Sequence, residues 1–227
     1  MNGKLISIEG LDGSGKATQT KLLCSNLSER GIQLRHVSFP DYAEPSSALA
    51  KMYLNGEFGS DPNEVNAYAA SSFYSVDRYA SYQRFWKKDY QNGALIVADR
   101  YTTSNIVFQL SKLPKSQWNR FIQWLEDYEY GKLGLPRPDL TIYLDMPPEA
   151  SQKLLINRYH GEESKRDIHE SNTPYLRACA ESAAYAVKQL NWKVINCADG
   201  ENPRTVEEIH TDVINTITEE LPLYVSF

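Results

Sequence analysis

Cysteine is scarce. Cys24, Cys179 and Cys197 lie far apart, with no CxxC pair and no Cys/His ligand spacing. That excludes a disulfide framework and a thiolate metal centre, and leaves three reduced thiols as the expectation. The four histidines, His36, His160, His169 and His210, are equally scattered and suggest no catalytic constellation. There is no basic excess either: 24 Lys and Arg stand against 29 Asp and Glu, a net charge of -5. No overall field gathers nucleic acid, so any phosphate site must be built locally from a few cations and backbone N–H groups. Long hydrophobic runs are missing as well, and with them any membrane span. The apolar stretch after Met1-Asn2-Gly3-Lys4 ends within a few residues at Glu9, too short for a signal peptide, and we expect a cytoplasmic protein. Internal repeats and low-complexity tracts are not found.

What remains is an ordinary globular composition, 41% hydrophobic and 23% charged over 227 residues, long enough for one substantial core. One domain, 1–227, is expected. Short apolar runs at 5–8, 34–39, 94–98, 140–144 and 194–195 read as buried parallel strands. Helical patterns occupy 15–30, 64–90, 116–130, 149–159, 174–190 and 203–219. Strand alternating with helix predicts an α/β doubly wound sheet with right-handed crossovers. Two polar stretches, 40–63 and 158–173, read as mobile insertions placed where functional loops belong. In the helix over 116–130, Trp118, Phe121, Ile122, Leu125 and Tyr128 recur at 3 and 4 spacing, a face suited to core packing.

Directly after the first strand runs Gly10-Leu11-Asp12-Gly13-Ser14-Gly15-Lys16-Ala17-Thr18, and Leu22, Leu23 and Leu27 then mark a helix. This is the strand, loop and helix order of a phosphate-binding P-loop. Its glycines let successive N–H groups converge on one anion, the helix N-terminus adds partial positive charge, and Lys16 supplies a point charge. Gly-x4-Gly-Lys alone would occur by chance in roughly 8% of chains this long, so the flanking strand and helix carry the assignment. One position departs: Ala17 stands where a Ser or Thr hydroxyl normally ligates Mg²⁺, and Thr18 is turned away by about 100° on a helix.

Asp99 follows the strand at 94–98 and should emerge at its C-terminal end as the metal carboxylate, with Arg100 beside it for a phosphate. Tyr74 and Arg78 are four apart on a helix, so an aromatic face and a guanidinium meet one small volume.

Several segments, taken in order, resemble the thymidylate kinases of the nucleoside-monophosphate kinase group. They are 8–13, Phe39-Pro40, 74–78, Asp99-Arg100-Tyr101 with Ser104-Asn105, and 138–149, and together they span nearly the whole chain. The resemblance implies a P-loop NTPase fold, a five-stranded parallel sheet flanked by helices, with a lid at about 158–173. It implies ATP and dTMP as substrates, dTDP and ADP as products, Mg²⁺ as cofactor and a homodimer. Carried over, Gly10 to Thr18 hold the ATP phosphates and Asp12 lies near the acceptor sugar. Arg78 meets the base carbonyl and Tyr74 stacks on the ring. Phe39, Arg100 and Ser104 belong to the dTMP site, and Asn105 and Phe108 lie beside its sugar. Arg158, Lys165 and Arg166 are the lid cations that reach the transferring phosphate.

Tyr42 is a second departure, because the family commonly has an arginine there to clamp the acceptor phosphate. Two rival readings stay open: a deoxynucleoside kinase or a kinase of another monophosphate, and a nucleotide-binding regulatory protein with weakened catalysis. Ala17 and Tyr42 together fit the second.

Overall fold

The computed structural model describes residues 2–158 and 167–222, apart from the side chains of Lys153 and of residues 155–158. Five parallel strands form the sheet: β1 (Leu5–Gly10), β2 (Leu34–Ser38), β3 (Leu95–Asp99), β4 (Leu140–Asp145) and β5 (Lys193–Asn196). Their order is β2-β3-β1-β4-β5. The three central strands are buried on both faces, as their unbroken apolar runs require, while the edge strands β2 and β5 are half exposed. Helices α1 (Lys16–Glu29) and α9 (Val206–Glu220) cover one face, packing Leu23, Leu27, Ile209 and Val213 on Ile6 and Ile8. Helices α5 (Thr102–Gln109), α6 (Trp118–Glu126) and α8 (Thr173–Gln189) build a second cluster around Leu11 and Tyr143. Trp118, Phe121, Ile122 and Leu125 face that core, as their spacing predicts. Helix α7 (Pro148–Arg158) follows β4.

The segment expected to be a mobile insertion at 40–63 instead carries helix α2 (Ala48–Leu54), flanked by two short 3-10 turns. The helix expected over 64–90 is α3 (Ala67–Ser81), a π-helical turn at Tyr82–Trp86, and α4 (Lys87–Gln91). Helix α5 was not expected at all. Its eight residues are nearly all buried, so it lacks the polar face that makes a helix visible in sequence.

Strand order sets the position of the site. β1 lies between β3 and β4, and Ile8 pairs in register with Asp99. The loops leaving β1 and β3 therefore emerge side by side at the carboxyl edge of the sheet, where ligands bind in open α/β folds.

Candidate active site

The loop after β1 is closed by glycine chemistry. Gly13 and Gly15 have φ of 79° and 86°, conformations that glycine adopts without steric cost. At Gly10 a side chain would come within 2.8 Å of the Leu144 carbonyl oxygen, so only glycine fits. Gly15 also ends the loop as the N-cap of α1 with no side-chain cap, leaving the first N–H groups of the helix directed at the groove above. Lys16 is buried and curls back to donate to the Leu11 carbonyl at 2.6 Å and to Ser14 Oγ at 3.4 Å. Burial, helped by the nearby charge of Arg100, lowers its pKa to about 8. Ser14 is buried in the loop, whereas Ala17 and Thr18 are exposed along the groove.

Arg100 leaves β3 with φ of 66° and its N–H bonds to the Ile8 carbonyl at 3.1 Å, which ties the two loops together. Its guanidinium is ion-paired with Asp12 and lies 5.0 Å from the centre of the Phe108 ring. Burial alone would lower the Arg100 pKa, but Asp12, Glu9 and Asp99 outweigh it and keep the group firmly cationic. Asp99 lines the groove beside Lys16, Ala17 and Thr18, where a single carboxylate can anchor a nucleotide-bound cation.

Beneath Arg100 opens a narrower pocket lined by Phe39, Tyr74, Arg78, Ser104, Asn105 and Phe108, every residue assigned from sequence to the acceptor. Asp12 and Arg100 line both this pocket and the groove. Phe39 is buried against the Tyr101 ring at 6.1 Å. Arg78 is almost fully buried and gives two hydrogen bonds to Glu129, at 2.7 and 2.5 Å. Asn105 donates to the Ser71 carbonyl at 3.2 Å and to Glu129 at 3.1 Å. Tyr42 is exposed but lines both cavities, and Lys51 Nζ donates to its carbonyl at 3.3 Å. The segment carrying Tyr42 is anchored by buried Asp77, which accepts from Asp41 N at 2.8 Å and Ser46 Oγ at 2.6 Å.

A loop built for phosphate thus adjoins a pocket with an aromatic wall and a buried guanidinium, and a profile described as thymidylate kinase matches residues 8–213. The chain belongs to the thymidylate kinase family. It is 27% identical over 218 residues to the thymidylate kinase of Plasmodium falciparum, covering 96% of this chain and 90% of that one. To the thymidylate kinase of Danio rerio it is 26% identical over 230 residues, covering 97% and 95%. The solved structure of thymidylate kinase from Candida albicans superposes with a TM-score of 0.69 at 26% identity, over 96% of this chain and 92% of that one. These matches favour a thymidylate kinase over the two rival readings. Enzymes of this family are ATP-dependent kinases that generally need a divalent metal.

Four further groups line or support this site without a motif that marks them in the sequence. Glu9 sits on β1 opposite the face of Ile6 and Ile8, fully buried, and accepts from Tyr101 N at 2.9 Å, Thr103 Oγ1 at 2.5 Å and Ser104 Oγ at 2.7 Å. It clamps the start of α5 to the sheet. Glu129 is likewise a fully buried carboxylate. Gln109 lines the pocket with a buried Oε1 that has no hydrogen-bond partner among the described residues. His169, one of four histidines whose scatter suggests no catalytic constellation, in fact lines the pocket from the segment before α8. Its ring stacks on Phe108 at 5.5 Å and its Nε2 lies 2.9 Å from Tyr53 Oη. Burial pushes its pKa down to about 3, so it is neutral at physiological pH. The only sign of Glu9 in the sequence is a charge at the end of an apolar strand, which does not name its partners. Of the expected lid cations, the side chain of Arg158 and the whole of Lys165 and Arg166 lie outside the described residues.

Proposed function

We propose that the groove over the β1 loop is the ATP half, and the pocket beneath Arg100 the dTMP half, of one phosphoryl-transfer site. The reaction is the family's own: ATP and dTMP give dTDP and ADP. The observation that carries the division is that Asp12 and Arg100 line both cavities and are paired with each other. A phosphoryl group passing between two nucleotides must cross that boundary, and in-line transfer chiefly requires alignment and neutralised charge. Gly10 to Thr18 would wrap the ATP phosphates, and Lys16 would leave its Leu11 carbonyl for the transferring group. Arg100 would hold the dTMP phosphate, leaving Asp12 near the sugar 3′-hydroxyl. Tyr74 would cover the base, and Arg78 would read its polar edge. Phe39, Ser104, Asn105 and Phe108 would enclose the sugar and the base. The nucleophile is a phosphate oxygen already anionic at neutral pH, so no general base is needed.

Mg²⁺ fits the donor set. It takes few carboxylates and keeps water and phosphate oxygens, and Asp99 beside the groove supplies one carboxylate. When bound, it would neutralise the nucleotide's outer phosphate charge. Arg158 and Arg166 remain proposed lid cations, within a single domain spanning 1–227 whose lid is 158–173. A homodimer is also proposed: Val76 and Tyr79, three apart on α3, are each 41% exposed. No described helix is long and apolar enough to cross a membrane, and with neither a nucleic-acid nor a membrane partner proposed, the free thiols of Cys24, Cys179 and Cys197 suit the cytoplasm.

The residue roles are tested by Lys16→Met. Turnover should fall at least about a thousandfold while the thermal unfolding midpoint stays within a few degrees of wild type. Turnover near wild type would remove Lys16 from the mechanism.

A further inference from the structure

Glu129 is fully buried, and the roles above give it no task. It follows α6 in a π-helical turn at Asp127–Lys132. The inward stripe of Trp118, Phe121, Ile122 and Leu125 places position 129 at the next inward step, where packing calls for an apolar side chain. A carboxylate survives there only if fully hydrogen-bonded. Oε1 accepts from Arg78 Nη2 at 2.5 Å, Ser75 Oγ at 2.7 Å and Asn105 Nδ2 at 3.1 Å. Oε2 accepts from Arg78 Nε at 2.7 Å and Thr102 Oγ1 at 2.8 Å.

We propose that Glu129 is a positioning residue for base selection: by holding Arg78 and Asn105 it fixes the donor and acceptor pattern that the pocket presents to thymine. The inference rests on reading this pocket as the base site. With Nε–H and one Nη2 hydrogen committed to Glu129, the Arg78 donors left for a ligand are the second Nη2 hydrogen and those on Nη1, which reaches the Tyr101 carbonyl only at 3.4 Å. The planar fork fixes their direction. Both amide hydrogens of Asn105 are likewise held, by Glu129 and by the Ser71 carbonyl. An anionic carboxylate will not face the amide oxygen, so Oδ1 is the atom left to accept. Donor and acceptor together match a base edge with a carbonyl beside an N–H, as in thymine. They mismatch cytosine, which offers an amino group beside a bare ring nitrogen. The ion pair also offsets the Arg78 charge where the neutral base would lie.

The test is Glu129→Gln, with steady-state kinetics on dTMP and dCMP. KM for dTMP should rise about tenfold or more, and the dTMP to dCMP ratio of kcat/KM should fall about tenfold, while KM for ATP stays within about twofold. Thr102→Val removes one Glu129 hydrogen bond from a residue that does not line the pocket. It should lower thermal stability without moving the ratio. If the Gln variant does not fold, Glu129→Asp, which keeps the charge but withdraws the oxygens, should show the same split. An unchanged ratio in a folded Glu129 variant, an equal fall in Thr102→Val, or failure of both Glu129 variants to fold would each overturn the proposal. A wild-type enzyme without preference for dTMP would instead overturn the base-site reading itself.

Discussion

At the scale of single residues, the decisive chemistry lies in how burial tunes a few charges. Lys16 in the folded protein has its pKa lowered to about 8, so it is protonated below that pH and neutral above it. Because kcat/KM reports the free enzyme, kcat/KM for ATP should fall as pH rises through about 8, and bound phosphate should move the corresponding limb of kcat upward. A kcat/KM profile flat to pH 10 would contradict the burial argument. Ala17 makes a second prediction. The helix start is intact for phosphate but lacks the hydroxyl, so Ala17→Thr should lower the Mg²⁺ concentration for half-maximal activity by about three- to tenfold. A Mg²⁺ titration of the two proteins decides it. The residues that build the loop were readable because they are contiguous and of distinctive type. Glu9 and Glu129 were not, since their partners lie far away in sequence, Glu9 with Thr103 and Glu129 with Arg78. Each shows in the sequence only as a charge at a place where the local pattern asks for an apolar side chain.

At the scale of elements, strands and long amphipathic helices declared themselves, while α2 and α5 did not. α5 is buried on nearly all sides, and α2 lies in a stretch whose Pro, Gly and Ser read as loop. Both wall the pocket beneath Arg100, Phe108 and Asn105 coming from α5 and Leu54 from α2, and Leu54 lines the groove as well. The segment that leads into α2 depends on Asp77, which holds Asp41 and Ser46 from α3. Asp77→Ala should release that wall and raise KM for dTMP about five- to tenfold, more than it raises KM for ATP. Equal loss for both substrates would show that Asp77 serves the fold rather than the pocket.

At the scale of the whole molecule, the order β2-β3-β1-β4-β5 turns separate motifs into one site. Alternation of strand and helix gave the fold class but not that order, which depends on long-range pairing such as Ile8 with Asp99. Once β1 and β3 are neighbours, the Lys16 loop and the Asp99-Arg100 corner share one edge of the sheet, and the pocket beneath them adjoins the groove, as the proposed two-substrate site requires. The most direct test of that account is the acceptor specificity of the purified enzyme with ATP and Mg²⁺, measured as ADP release with dTMP, thymidine and dCMP in parallel. The account predicts kcat/KM for dTMP at least about a hundredfold above either alternative, about 3 kcal/mol of discrimination. Comparable or higher values for thymidine or dCMP would contradict it.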